Sequence, residues 1–149
     1  MTARAIVEQF VNQVWNQRQL EQVYQLFSPD FVATPVAYQS MWNGTGPESM
    51  KHHVQEWLEG VPDLQMQTIE IIEQDNKVAW QWKMTGTHKG ILYGVPPTEQ
   101  VITALGITFF VIEANQICQL HTAFDALGLM QQLGVLPDAG TIIQRHLQG

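Results

Sequence analysis

The sequence predicts an α+β fold in which helices from the N-terminal half cover one face of a curved antiparallel sheet. Three observations carry this. Apolar residues recur at helical spacing over residues 3–60, with Ile6, Phe10 and Val14 on one stripe and Met50, Val54 and Trp57 on another. From Leu64 onward the period changes to two. Short polar stretches, Gln74-Asp75-Asn76 and Ala114-Asn115-Gln116, then break the alternating segments into hairpins.

Taken in order, residues 3–18 read as a helix capped by Thr2, and 19–27 as a second, short one stopped by Ser28-Pro29-Asp30. FVATPVAY (31–38) has strand composition, with Pro35 confining it to an edge or an irregular stretch. NGTGP (43–47) is a loop. Pro47 opens a third helix that Gly60 closes. LQMQTIEII and KVAWQWKMTGTH are strands; in the second, Val78, Trp80, Trp82 and Met84 alternate with Ala79, Gln81, Lys83 and Thr85. KGILYGVPPTEQ connects them to two long apolar strands, VITALGITFFVIE and QICQLHTAF. DALGLMQQLG is a final short helix, and the tail from Pro137 offers only Ile142 and Ile143 to a core. The expectation is one domain spanning 1–149, with 137–149 as its tail.

Bulk properties narrow the function. A net charge of -7 and a pI of about 5.0 disfavour nucleic acid and anionic membranes, both of which recruit clustered Lys and Arg. A lone Cys118 excludes an internal disulfide framework and a cysteine zinc cluster. The N-terminal stretch lacks the apolar block of a secretion signal, and no apolar run is long enough to span a bilayer. A cytoplasmic location is expected. Helices on one side of a cone-shaped sheet leave an apolar cavity, a common place for a small ligand.

The combination of GTHKG (86–90), GVPPT (94–98), PDLQMQ (62–67) and ALGLMQQLG (126–134) resembles the SnoaL-like polyketide cyclases of the NTF2-like superfamily. The resemblance implies a cystatin-like cone with a deep hydrophobic pocket and a homodimer formed through the sheet. It also implies an intramolecular aldol ring closure without metal or cofactor. Setting the family's final Asp on Asp125 places its acid/base aspartate on Thr122 and the partnering histidine on Thr108. A threonine hydroxyl does not exchange protons near neutral pH unless a base activates it.

If Thr108 and Thr122 face the cavity, strand alternation adds Ile102, Phe110, Leu120 and Phe124 to the wall, with Cys118 on the same parity as Thr122. Trp15, Trp57, Trp82 and Tyr38 complete the expected pocket, with Trp42 expected over its mouth and the Tyr93 hydroxyl, like that of Tyr38, expected to point inward from near a loop. His88 is the expected proton carrier if there is catalysis, against the alternative that it anchors the GVPPT loop. His121 falls on the outer face, and Asp125 suits an N-cap. His52 and His53, adjacent on a helix, diverge too far to share a metal, so neither metal nor cofactor is expected. The glycines of GTG (44–46) lack the lysine of a phosphate-binding loop.

Three functions follow. The first is cofactor-free cyclase or isomerase chemistry on a hydrophobic or aromatic substrate. The second is a carrier of a hydrophobic ligand. The third is an interaction module with a filled cavity. Val101, Leu105, Ile107, Phe109 and Val111 form an apolar outer stripe that predicts a homodimer under all three.

Overall fold

A computed structural model describes residues 1–35 and 42–149. Tyr38 and the end of the FVATPVAY segment therefore lie outside the described residues. Helix α1 (Ala3–Gln9) is capped by Thr2, whose side chain accepts from Ala5 N–H, and widens into a π-helical stretch over Phe10–Asn16. A 3₁₀ turn at Leu20–Gln22 leads into α2 (Val23–Leu26), and a longer α3 (Gly46–Gly60) carries Pro47 in its first turn.

Six strands form one sheet: β1 (Phe27–Pro35), β2 (Gly44–Thr45), β3 (Gln65–Gln74), β4 (Lys77–Thr87), β5 (Val101–Glu113) and β6 (Gln116–Phe124). Their order is β2-β1-β6-β5-β4-β3. The four long strands β3 to β6 are antiparallel, whereas β1 runs parallel to β6. Register shifts between Thr68 and Glu70 and between Val111 and Ile112 bend the sheet towards the helices. Ser28-Pro29-Asp30 ends the helix but sits inside β1, where the pairing with β6 skips from Phe27 to Val32. Two non-donating or irregular positions are tolerated there because a bulge needs no continuous ladder.

The sheet's inner face and the three helices enclose the core. Arg18 and Asn16 tie the end of the first helix to β3. The Arg18 guanidinium donates to the carbonyls of Trp15, Asn16, Pro62 and Leu64 at 2.7–3.0 Å, satisfying the helix end and the chain entering β3 at once. The Asn16 side chain pairs with the Met66 backbone in both directions, at 3.0 and 2.8 Å. After β6, α4 (Ala126–Gln132) starts on Asp125, whose side chain accepts from Gly128 N–H at 2.9 Å. The tail is also helical: α5 (Ala139–Gln148) is capped by Asp138 and buries none of its residues. Its stripe of Ile142, Ile143 and Leu147 was too short to distinguish from coil by spacing. No helix among the described residues is long and apolar enough to cross a membrane.

Candidate functional site

Between α1, α3 and the inner face of β4, β5 and β6 lies a cavity of about 100 Å³, partly open to solvent. Its walls include Phe10 and Trp15 from the π-helical turn, Met50, His53 and Trp57 from α3, and Trp80, Trp82 and Met84 from β4. Thr108 and Phe110 on β5 and Leu120, Thr122 and Phe124 on β6 form the floor. Trp42, Leu64, Met66, Tyr93, Ala104 and Ala123 complete the lining.

The floor follows from register. Thr108 is paired across the β5–β6 ladder with Thr122, and across β4–β5 with Trp80. The two hydroxyls are 2.9 Å apart, and Trp82 Nε1 donates to Thr108 Oγ1 at 3.0 Å. Thr108 is buried, and Thr122 is half-buried. Thr108 Oγ1 receives the indole proton, so a short chain of hydrogen bonds runs from Trp82 through Thr108 to Thr122. Gly106 is what lets Trp82 lie in this position: a Cβ there would stand 2.3 Å from the indole ring.

His53 is the polar group on the helical wall. Its ring stacks on Trp42 at 4.1 Å between centroids and meets Trp15 edge-on at 6.0 Å. The residue is half-buried rather than fully enclosed, and burial beside these rings pushes its pKa down to about 3. His53 is therefore a neutral imidazole at pH 7. Tyr93, edge-on to Trp57 at 5.7 Å, is pushed up to about 12 by burial, against the opposing pull of the Trp57 indole. It stays a phenol. No Asp, Glu, Lys or Arg lines the cavity among the described residues, and residues 36–41 (VAYQSM) contain none.

Of the residues expected at the pocket, Trp15, Trp57, Trp82, Thr108, Phe110, Leu120, Thr122 and Phe124 come together on its wall. Ile102 and His88 do not line it. Ile102 is fully buried opposite Gly86, where Val61 at the end of α3 packs so closely that a Cβ on Gly86 would meet it at 2.3 Å. That end of the cone is filled. His88, one turn of the ladder further on, is fully buried in the β4–β5 connection. Its Nδ1 accepts from Thr98 N–H at 3.2 Å and lies 3.0 Å from Thr98 Oγ1, holding the GVPPT segment. Since a backbone N–H only donates, the ring proton sits on Nε2, which is buried with no partner among the described residues. Cys118 also departs from its expected parity. The irregularity in the β5–β6 pairing turns Ile117 inward and leaves Cys118 half-buried, with its thiol donating to Val111 C=O at 3.3 Å and its pKa raised by burial.

His53 is the site residue that sequence reasoning missed as a pocket group, having weighed it only as a metal ligand. The signal was present. Met50, His53 and Trp57 lie at i, i+3 and i+7 on the inward stripe of α3, which is the spacing of a shared helix face. Among the described residues no group of three or more His, Cys, Asp or Glu stands close enough to hold a metal ion.

Helices over one face of a mixed, curved sheet, with an apolar cavity between them, make an α+β fold of the NTF2 and ketosteroid isomerase type. The structure superposes on a protein with a ketosteroid isomerase-like fold from Catenulispora acidiphila DSM 44928, with a TM-score of 0.67, 13% identity, and 87% of this chain and 92% of that one covered. The model of the SnoaL-like polyketide cyclase family matches residues 5–133, and the chain belongs to that family. A protein from Jannaschia Sp. CCS1 assigned to the SnoaL-like polyketide cyclases superposes with a TM-score of 0.80 at 20% identity, over 91% of this chain and 93% of that one. AclR from Streptomyces galilaeus, assigned as a hydroxylase, gives a TM-score of 0.80 at 23% identity, over 98% and 89%. At these identities the likeness is one of fold. No curated protein matches the chain.

Proposed function

We propose that this protein binds a small, neutral aromatic or hydrophobic molecule in the cavity between helices and sheet, and that it does not run the aldol chemistry of its family. One observation supports this most directly. The family resemblance sets its two acid/base positions on Thr108 and Thr122, whose hydroxyls are hydrogen-bonded to each other, with Thr108 also accepting from the Trp82 indole N–H. A hydroxyl pair whose neighbour is an indole donor has no group beside it to take its proton. The neutral His53 and Tyr93 supply none either, since an imidazole with a pKa near 3 is too weak a base for a carbon acid.

The size of the cavity limits the ligand. At about 100 Å³ it is smaller than the roughly 300–1,000 Å³ common for drug-sized ligands. One ring, or the end of a larger molecule reaching in from solvent, fits this description. Native mass spectrometry of freshly purified protein tests the reading: a copurifying aromatic or terpenoid adduct is expected, displaced by added ligand. Turnover of a polyketide methyl ester with release of a closed ring would contradict it.

A second reading rests on the hydroxyl floor. Hydroxyl donors in a wall without charges favour an oxyanion more than they would in water, so the Thr pair suits a cofactor-free isomerisation in which a basic group of the substrate itself takes the proton from carbon and returns it to the product. Exposed Val101, Leu105, Ile107 and Phe109 on the outer face of β5 support pairing of two copies through the sheet. Sedimentation equilibrium at micromolar concentration is expected to give a dimer, and a monomer counts against this pairing. We place the protein in the cytoplasm, where the lone thiol of Cys118 stays reduced.

A further inference from the structure

We propose that His53 is the polar contact that fixes a neutral, hydroxyl- or carbonyl-bearing aromatic ligand, and that the uncharged wall around it turns the corresponding carboxylate away. The inference rests on the cavity reading above and names the ligand class. Geometry carries it. His53 is held by rings: Trp42 covers one face and Trp15 meets it edge-on. Its ring contacts among the described residues are these two, and it lies on the cavity wall. An imidazole in that position keeps one donor and one acceptor for whatever enters.

On the floor opposite, Thr108 is largely committed. It accepts from Trp82 and shares a hydrogen bond with Thr122, which leaves one hydrogen-bonding site on Thr108 and two on Thr122. A ligand oxygen thus finds its partners at His53 and Thr122. The low pKa of His53 agrees with this, since the ring offers no positive charge to an anion at neutral pH. A carboxylate entering the cavity loses water and gains no cation. The anion is therefore excluded by desolvation while a phenol is accepted.

The test titrates the protein with phenol, toluene and benzoate at neutral pH, following the indole N–H signals of the tryptophans by NMR. Phenol is expected to bind, with benzoate at least about 30-fold weaker. His53→Phe keeps the stacked ring and is expected to weaken phenol about 10-fold while leaving toluene unchanged. Equal affinities for phenol and benzoate would overturn the charge exclusion but leave the cavity standing. Loss of phenol and toluene in equal measure on His53→Phe would make His53 a packing residue only and overturn its role as a contact. Failure of all three probes to shift any indole signal would sink the cavity reading itself.

Discussion

Lowering the pH is expected to destabilise this protein through His53, and the size of the effect follows from its surroundings. The folded pKa is lowered to about 3 by burial among Trp42 and Trp15. In the unfolded chain a histidine titrates near 6.5. The unfolded state therefore takes up a proton that the folded state refuses over the interval between those values. The contribution is fully present above about 6.5 and is lost as pH falls towards 3. At 1.36 kcal/mol per unit, moving from pH 7 to pH 5 removes up to about 2 kcal/mol, less whatever solvent at the half-buried residue recovers. That is a large share of a typical folding free energy of roughly 5–15 kcal/mol. Other titrating groups contribute as well, so the assay is a double difference. Urea unfolding of the wild type and of His53→Phe at both pH values isolates the imidazole, because the phenyl ring keeps the stacking and cannot titrate. The wild type should lose about 1–2 kcal/mol more than the variant between the two pH values. Equal losses in the two proteins would refute the reasoning and mean that His53 is solvated in the folded state.

Thr108→Val leaves the Trp82 indole N–H buried without an acceptor and should cost about 1–3 kcal/mol in chemical denaturation, whereas Thr122→Val, at a half-buried position with Trp82 still paired, should cost less than about 1 kcal/mol. Gly106→Ala pushes a methyl group into the Trp82 ring and should cost about 1–3 kcal/mol while abolishing phenol binding, read by the same NMR titration. Asp125→Ala removes the N-cap of α4 and should lower stability by about 1 kcal/mol, with the far-UV helix signal reduced only slightly.

Periodicity made most of this architecture legible. The alternation of Val78, Trp80, Trp82 and Met84 placed all four inward, and the spacing of Ile6, Phe10 and Val14 placed the first helix over them. Counting by twos also brought Thr108 and Thr122 to the same wall, where they turn out to be direct ladder partners. What spacing could not supply was the irregularity between Val111 and Ile112, which reverses the parity of Cys118 without any glycine or proline to announce it. It also could not tell a hollow part of the cone from a filled one. Ile102 points inward as expected, but Val61 closes that end through Gly86, a contact between residues far apart in sequence. His88 was obscured by the same lack of long-range information, since its partner Thr98 lies across a ten-residue connection. The parallel β1–β6 pairing escaped as well, because a strand bearing Pro29 and Pro35 gives no sign of which neighbour it will accept. His53 failed for a different reason. A histidine next to another histidine raises metal first, and once divergence ruled that out, nothing asked which of the two shares the inward stripe of Met50 and Trp57.

The central claim is tested most directly by a crystal structure of the protein soaked with a brominated phenol. The account predicts anomalous density for bromine between the tryptophans of β4 and the helices, with the phenolic oxygen in hydrogen-bond reach of His53 or Thr122. Bromine only on the outer face of the sheet, or a cavity closed by side chains around Thr108, would contradict it.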